Sequence, residues 1–160
     1  MDTFTPRVVG VPVPLASAVA VDTVTVDAGS DRHWRFFDVE RGLVADPPDT
    51  AGWDLAFRRF TVIPSGEVAN LGPVPFDSVT APPATGYVAT VRGRDTSNAA
   101  TAKWYSYSYL SHLLVPKPDV YVLKTREGRF AKLQMAGYYC PGTTPGCVTF
   151  RYAMLAGKGR

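Results

Sequence analysis

Apolar and polar residues alternate along most of this chain, in short runs broken by Pro and Gly. The clearest pattern lies between Tyr105 and Met154. Val120-Tyr-Val-Leu-Lys-Thr125 and Phe130-Ala-Lys-Leu-Gln-Met135 flank a short charged segment carrying Gly128, which predicts a hairpin. Another strand-like run, Val148 to Met154, follows the turn-rich stretch Tyr138 to Cys147. The spacing predicts a three-strand meander with His112 at its mouth.

Upstream, Val19 to Val26 places Thr23 and Thr25 on one face and Val24 and Val26 on the other, the period of a half-buried strand. His33 to Phe37 and Leu43 to Ala45 predict a hairpin. Trp53 to Ile63 reads as one strand, with Trp53, Leu55 and Phe57 on one face and Asp54, Ala56 and Arg58 on the other. Pro64 to Ala89 is the least regular region, and a loop of that length is expected to be functional or held by a partner. Within Arg92 to Ala102, Asp95-Thr-Ser-Asn98 offers capping chemistry for a short helical turn. Trp104 to Tyr109 alternates aromatic and hydroxyl residues, so a strand there lines up Tyr105, Tyr107 and Tyr109 on one side, ending just before His112. Residues 1–18 are Pro-rich and without period, the pattern of an extended arm. The expected organisation is that arm, one all-β domain over 19–156 of mainly antiparallel strands and hairpins with long loops and little helix, and a basic tail over 157–160.

Composition narrows the function classes. Fourteen Pro and fourteen Gly punctuate nearly every apolar run and leave little room for long helices. The 160 residues suffice for a core without metal or oligomeric support. A formal charge of +3 is too weak to argue for nucleic acid, and Arg58-Arg59, Arg92, Arg94 and the tail Lys158-Gly-Arg160 are scattered in sequence. No apolar run reaches the length of a membrane span. Met1-Asp-Thr-Phe-Thr-Pro6 lacks the basic start and apolar block of a secretory signal. A removed signal, another export route and an internal location all stay open on that point. Cys140 and Cys147 bracket Pro-Gly-Thr-Thr-Pro-Gly, turn formers that can bring the two thiols within bridging distance. A disulfide is the expected state, against two free thiols or a metal site, and it points to an oxidising compartment such as the periplasm or cell surface.

Catalytic signatures are absent: no Gly-x-Ser-x-Gly elbow, no phosphate-binding Gly-rich loop, no His-Glu-x-x-His and no Cys-x-x-Cys. A binding protein is therefore expected rather than an enzyme. Asp54 reads either as a site carboxylate or as a structural one in an ion pair or bonded to backbone. Of the two histidines, His112 is the better ligand candidate, set after the tyrosines and before Pro116-Lys-Pro118. A neutral imidazole coordinates haem iron, and aromatic walls such as Tyr107 and Tyr109 suit a porphyrin plane. A histidine bonded to a neighbouring loop is the alternative. His33, Met135 and Met154 are expected in packing roles.

Trp53-Asp-Leu-Ala-Phe-Arg-Arg59, Phe76-Asp-Ser-Val79, Trp104-Tyr105, His112 with Pro116-Lys-Pro118, Val120 to Thr125, Gly128 to Gln134 and Tyr138-Tyr139 together resemble the HmuY-type haem-binding domain, over roughly residues 34–154. The resemblance implies an all-β, exported protein, often lipid-anchored. Such a protein captures haem from haemoproteins and passes it to an outer-membrane receptor. It also implies a periplasmic or cell-surface location, with any membrane association through a partner or a removed anchor. In the family's type member two histidines hold the iron, and some relatives use methionine. Carried over, His112 is an axial ligand, with Tyr107 and Tyr109 beside the haem and no covalent attachment. The region Pro64 to Ala102 holds no second histidine, so the other ligand is unassigned among His33, Met135, Met154 and the tyrosines. A module that lacks haem and serves as an accessory or scaffold subunit of an envelope or membrane complex is the alternative reading.

Overall fold

The computed structural model describes residues 20–45, 52–93 and 96–156. Twelve strands form three antiparallel sheets: β1 (Asp22–Asp27), β2 (Arg35–Asp38), β3 (Gly42–Val44), β4 (Leu55–Arg58), β5 (Thr61–Pro64), β6 (Glu67–Asn70), β7 (Val88–Ala89), β8 (Tyr105–Ser108), β9 (Leu113–Pro116), β10 (Val120–Lys124), β11 (Phe130–Cys140) and β12 (Thr144–Leu155). The fold is all-β; among the described residues only two short 3-10 segments interrupt it, Phe76–Ser78 and Pro141–Thr143. The proposed arm, residues 1–18, and the tail, 157–160, lie outside the described residues.

The meander is present. In the six-stranded sheet the order is β1-β12-β11-β10-β6-β7, so β10, β11 and β12 lie side by side. Gly128, at φ 85°, supplies the left-handed residue of the turn between β10 and β11, where the Thr125 hydroxyl accepts the Arg129 N–H at 3.0 Å. Cys140 and Cys147 are joined across the β11–β12 turn, Cα to Cα 4.9 Å. The four-stranded sheet has the order β3-β2-β4-β5.

The main core fills the space between these two sheets, with Phe37, Leu55 and Phe57 from one and Val68, Tyr121, Leu123, Leu133 and Phe150 from the other. Phe37 meets Phe150 edge-on at 5.3 Å, and Phe57 stacks on Phe150 at 5.4 Å. The opposite face of β10 is also buried: Val120 and Val122 pack under Phe76 and Val79. Strand β10 therefore reads as an unbroken apolar run, because both of its faces are dry.

Three sequence expectations are corrected. Trp53 to Ile63 is a hairpin, not one strand: Arg59 takes φ 55° and turns the chain between β4 and β5. Its second face is not solvated either, because Ala56 and Ile63 pack with Trp53 against Trp34 and Phe36. The irregular region contains strand β6, paired with β10 through Tyr121↔Asn70 to Lys124↔Glu67, and the chain after it covers the outer face of the large sheet. Strand β2 begins at Arg35, so His33 precedes it. Within β11, register shifts around Gly137 change which side chains face inward: Leu133 and Met135 point to the core, and so does Tyr138.

Candidate functional site

Strands β8 and β9 pair only with each other, as a two-stranded arm. Aromatic packing roots it. Trp104 is fully buried, and its indole N–H donates to the Phe60 carbonyl at 2.8 Å. Tyr105 packs edge-on against both Trp104 and Phe60, at 5.5 and 5.4 Å. The Lys117 N–H donates to the Trp104 carbonyl at 2.8 Å, closing the base, and the Leu114 N–H donates to the Tyr139 hydroxyl at 2.8 Å, tying β9 to β11.

At the far end Tyr109-Leu-Ser-His112 makes the turn. The His112 N–H donates to the Ser108 carbonyl at 2.7 Å, and His112 sits at φ 60°. That left-handed backbone is unusual for a residue with a side chain and is characteristic of constrained sites. Leu110 is 97% exposed and Tyr109 is 83% exposed. The imidazole of His112 is also exposed, and its Nδ1 lies 2.8 Å from the Tyr107 hydroxyl. Tyr109 stands edge-on to Tyr107 at 5.0 Å.

The structure thus brings together three residues the sequence singles out: His112, Tyr107 and Tyr109. Tyr105 leaves that group for the root of the arm, because its ring is half-buried against Phe60. Tyr109 lies beyond the end of β8, in the turn, so the expected three-residue ladder is a strand pair plus a loop tyrosine. Leu110 and Tyr139 were not anticipated. Tyr139 belongs to the Tyr-Tyr pair, but only the fold shows its hydroxyl holding β9.

The remaining candidates lie elsewhere. Met135 is buried in the main core and Met154 packs against it. His33 is exposed in a turn, where its backbone N–H donates to the Ser30 hydroxyl at 3.0 Å. Asp54 is structural: it is 4% exposed, and its Oδ2 accepts the Val39 N–H at 2.8 Å. Burial pushes its carboxyl up to about 6, with Asp38 and Glu127 adding to the rise. Arg58, expected on the same face as Asp54, lies over the Trp34 ring at 4.4 Å. Two surface hollows, of about 300 and 460 Å³, are lined by Trp34, Phe36 and Leu43 and by Leu71, Val74 and Val79, and neither includes His112.

For haem iron the donor set fits at one position. An imidazole bound through Nε2 carries its proton on Nδ1, and Tyr107 stands where it can accept that proton in a hydrogen bond. Among the described residues no group of three or more His, Cys, Asp or Glu is placed to hold a bare metal ion. None of their helices is long and apolar enough to cross a membrane.

The fold has close solved counterparts. The Apo HmuY analog from Tannerella forsythia superposes with a TM-score of 0.73 at 18% identity, covering 86% of this chain and 96% of the other. Apo PinO from Porphyromonas gingivitis gives 0.72 at 17% identity, covering 89% and 100%. A Bacteroides vulgatus protein assigned as HmuY-like and heme-binding gives 0.71 at 20%, covering 85% and 92%. No curated protein matches the chain. A sequence model described as HmuY protein matches residues 30–152, more than half of the chain and all of the arm, so this protein belongs to the HmuY family.

Proposed function

We propose that this protein binds haem without covalent attachment, with His112 as an axial ligand and Tyr107 and Tyr109 against the porphyrin. The observation that carries this reading is the exposed imidazole at the tip of a rooted arm, with Nδ1 engaged by Tyr107 and the ring accessible from solvent. When bound, haem supplies the iron that an imidazole nitrogen coordinates. The protein's own part is to hold the ring: the Tyr107 hydroxyl fixes its orientation and raises its basicity, and the turn hydrogen bond to Ser108 fixes the backbone beneath it.

The role is capture rather than catalysis. An exposed arm suits uptake of haem from haemoproteins and its passage to a receptor at the outer membrane. The Cys140–Cys147 bridge supports an exported location, periplasmic or at the cell surface. Titration of the purified protein with ferric haem tests the reading. A shift of the Soret band is expected at micromolar haem and is expected to disappear in His112→Ala. An unchanged spectrum in the parent protein rejects haem binding. It leaves the alternative of a scaffold subunit in an envelope complex, for which the exposed Tyr109 and Leu110 would be the contact surface.

A further inference from the structure

The haem reading leaves one coordination position without a protein ligand, and the inference drawn here rests on that reading. Neither methionine is available: Met135 is buried and Met154 packs against the core. His33 is exposed, but Asp31 and Arg32 precede it and Arg35 follows closely, a charged turn poorly suited to an apolar macrocycle.

The arm has the opposite character. From Tyr105 to Pro116 it carries no Asp, Glu, Lys or Arg, and its only titratable side chains are the tyrosines and His112. Its most exposed residues, Leu110 and Tyr109, flank the ligand on a projecting turn. A surface that is uncharged, apolar and projecting can meet an identical copy of itself with neither like-charge repulsion nor a buried unpaired charge. A porphyrin has two equivalent faces, each requiring an axial ligand and an apolar cover.

We infer that a second copy of this chain supplies the missing ligand, so that His112 of two copies holds one haem between two arms. The interface is isologous: Tyr109 and Leu110 of each copy cover one face of the macrocycle, and Tyr107 of each copy orients its own imidazole. Haem is then the link that makes the dimer, and each arm stays exposed without it.

Ferric haem titration, followed at once by absorbance and by analytical ultracentrifugation, tests this. The expected result is an endpoint at one haem to two chains, a low-spin spectrum of bis-imidazole type, and a monomer-to-dimer shift that appears only with haem. His112→Asn, which tolerates the left-handed backbone but does not ligate, is expected to lose the spectrum and the dimer together while its melting temperature stays close to the parent's. His33→Ala is expected to retain both. A one-to-one monomeric complex, high-spin or low-spin, overturns the two-copy arrangement while leaving haem binding intact. Loss of the low-spin spectrum in His33→Ala overturns it too, by placing the second ligand within the same chain. A spectrum that never changes removes the haem reading itself.

Discussion

The backbone at His112 carries a cost that its surroundings do not require. An L-residue in the left-handed region is disfavoured by roughly 1–2 kcal/mol, and glycine escapes that penalty. Here the turn holds a histidine at φ 60°, on an exposed tip with little packing to compensate. His112→Gly should therefore raise stability by about 1 kcal/mol in urea unfolding while abolishing any haem spectrum. His112→Ala keeps the strain and should show no gain. Equal stabilities for the glycine and alanine variants would mean that the backbone is not strained there. At this scale the sequence was partly legible. The run of tyrosines before His112 marked the site, but the Tyr107 hydrogen bond depends on a turn whose geometry no periodicity announces. Nor does local spacing separate Tyr105, drawn into the root by Phe60, from Tyr107, left outside.

Among the elements, β5 shows how this fold protects an edge without another strand. It lies at the margin of the four-stranded sheet, where unpaired carbonyls would invite another chain. Side chains from the segment that leads into the arm take those carbonyls: Thr90 donates to Pro64 at 3.0 Å, Thr101 to Val62 at 2.7 Å, and Trp104 to Phe60 at 2.8 Å in the preceding turn. Pro64 itself has no N–H to satisfy. Thr101→Val keeps the volume but leaves the Val62 carbonyl buried without its donor, and should cost about 1–3 kcal/mol. Hydrogen exchange of the β4–β5 hairpin and the arm should quicken together in that variant; a change confined to one of them would show that the clamp does not couple them. The same clamp explains why Trp53 to Ile63 misleads as one strand. The turn at Arg59-Phe60 has no glycine or proline to mark it, and it is held by distant partners, among them Trp104 and the Ala28 carbonyl that accepts the Arg59 N–H at 2.8 Å. Strand β6 was obscured for a similar reason: Val68 and Ala69 are a short apolar pair, and only the two-sided burial of β10 beside them makes them a strand.

At the scale of the whole molecule, the two sheets meet at one end through charged turns. The β2–β3 turn carries Asp38, Glu40 and Arg41, and the β10–β11 turn carries Glu127 and Arg129; Arg129 pairs with Glu40 across the gap. Asp54 lies buried beside this cluster, with its carboxyl raised to about 6 from an ordinary 3.8. The folded state therefore takes up a proton on Asp54 more readily than the unfolded chain does. Below about pH 4 both states hold that proton; above about pH 6 both release it, and the folded state bears the cost of a buried charge. The difference of 2.2 units, 6 minus 3.8, corresponds to at most about 3 kcal/mol. Stability should accordingly rise as pH falls from about 7 to 4, against the usual trend for a carboxylate held by an ion pair. The exposed pairs Arg129–Glu40 and Arg41–Asp38 contribute too little to hide this. Asp54→Asn retains an acceptor for the Val39 N–H while removing the charge, so it should flatten the profile and exceed the parent in stability at pH 7.5. Denaturant midpoints for both proteins at pH 7.5 and 5.0 decide the matter: a parent that weakens on acidification, or a variant that follows the parent's slope, would show that Asp54 does not govern the coupling between the sheets.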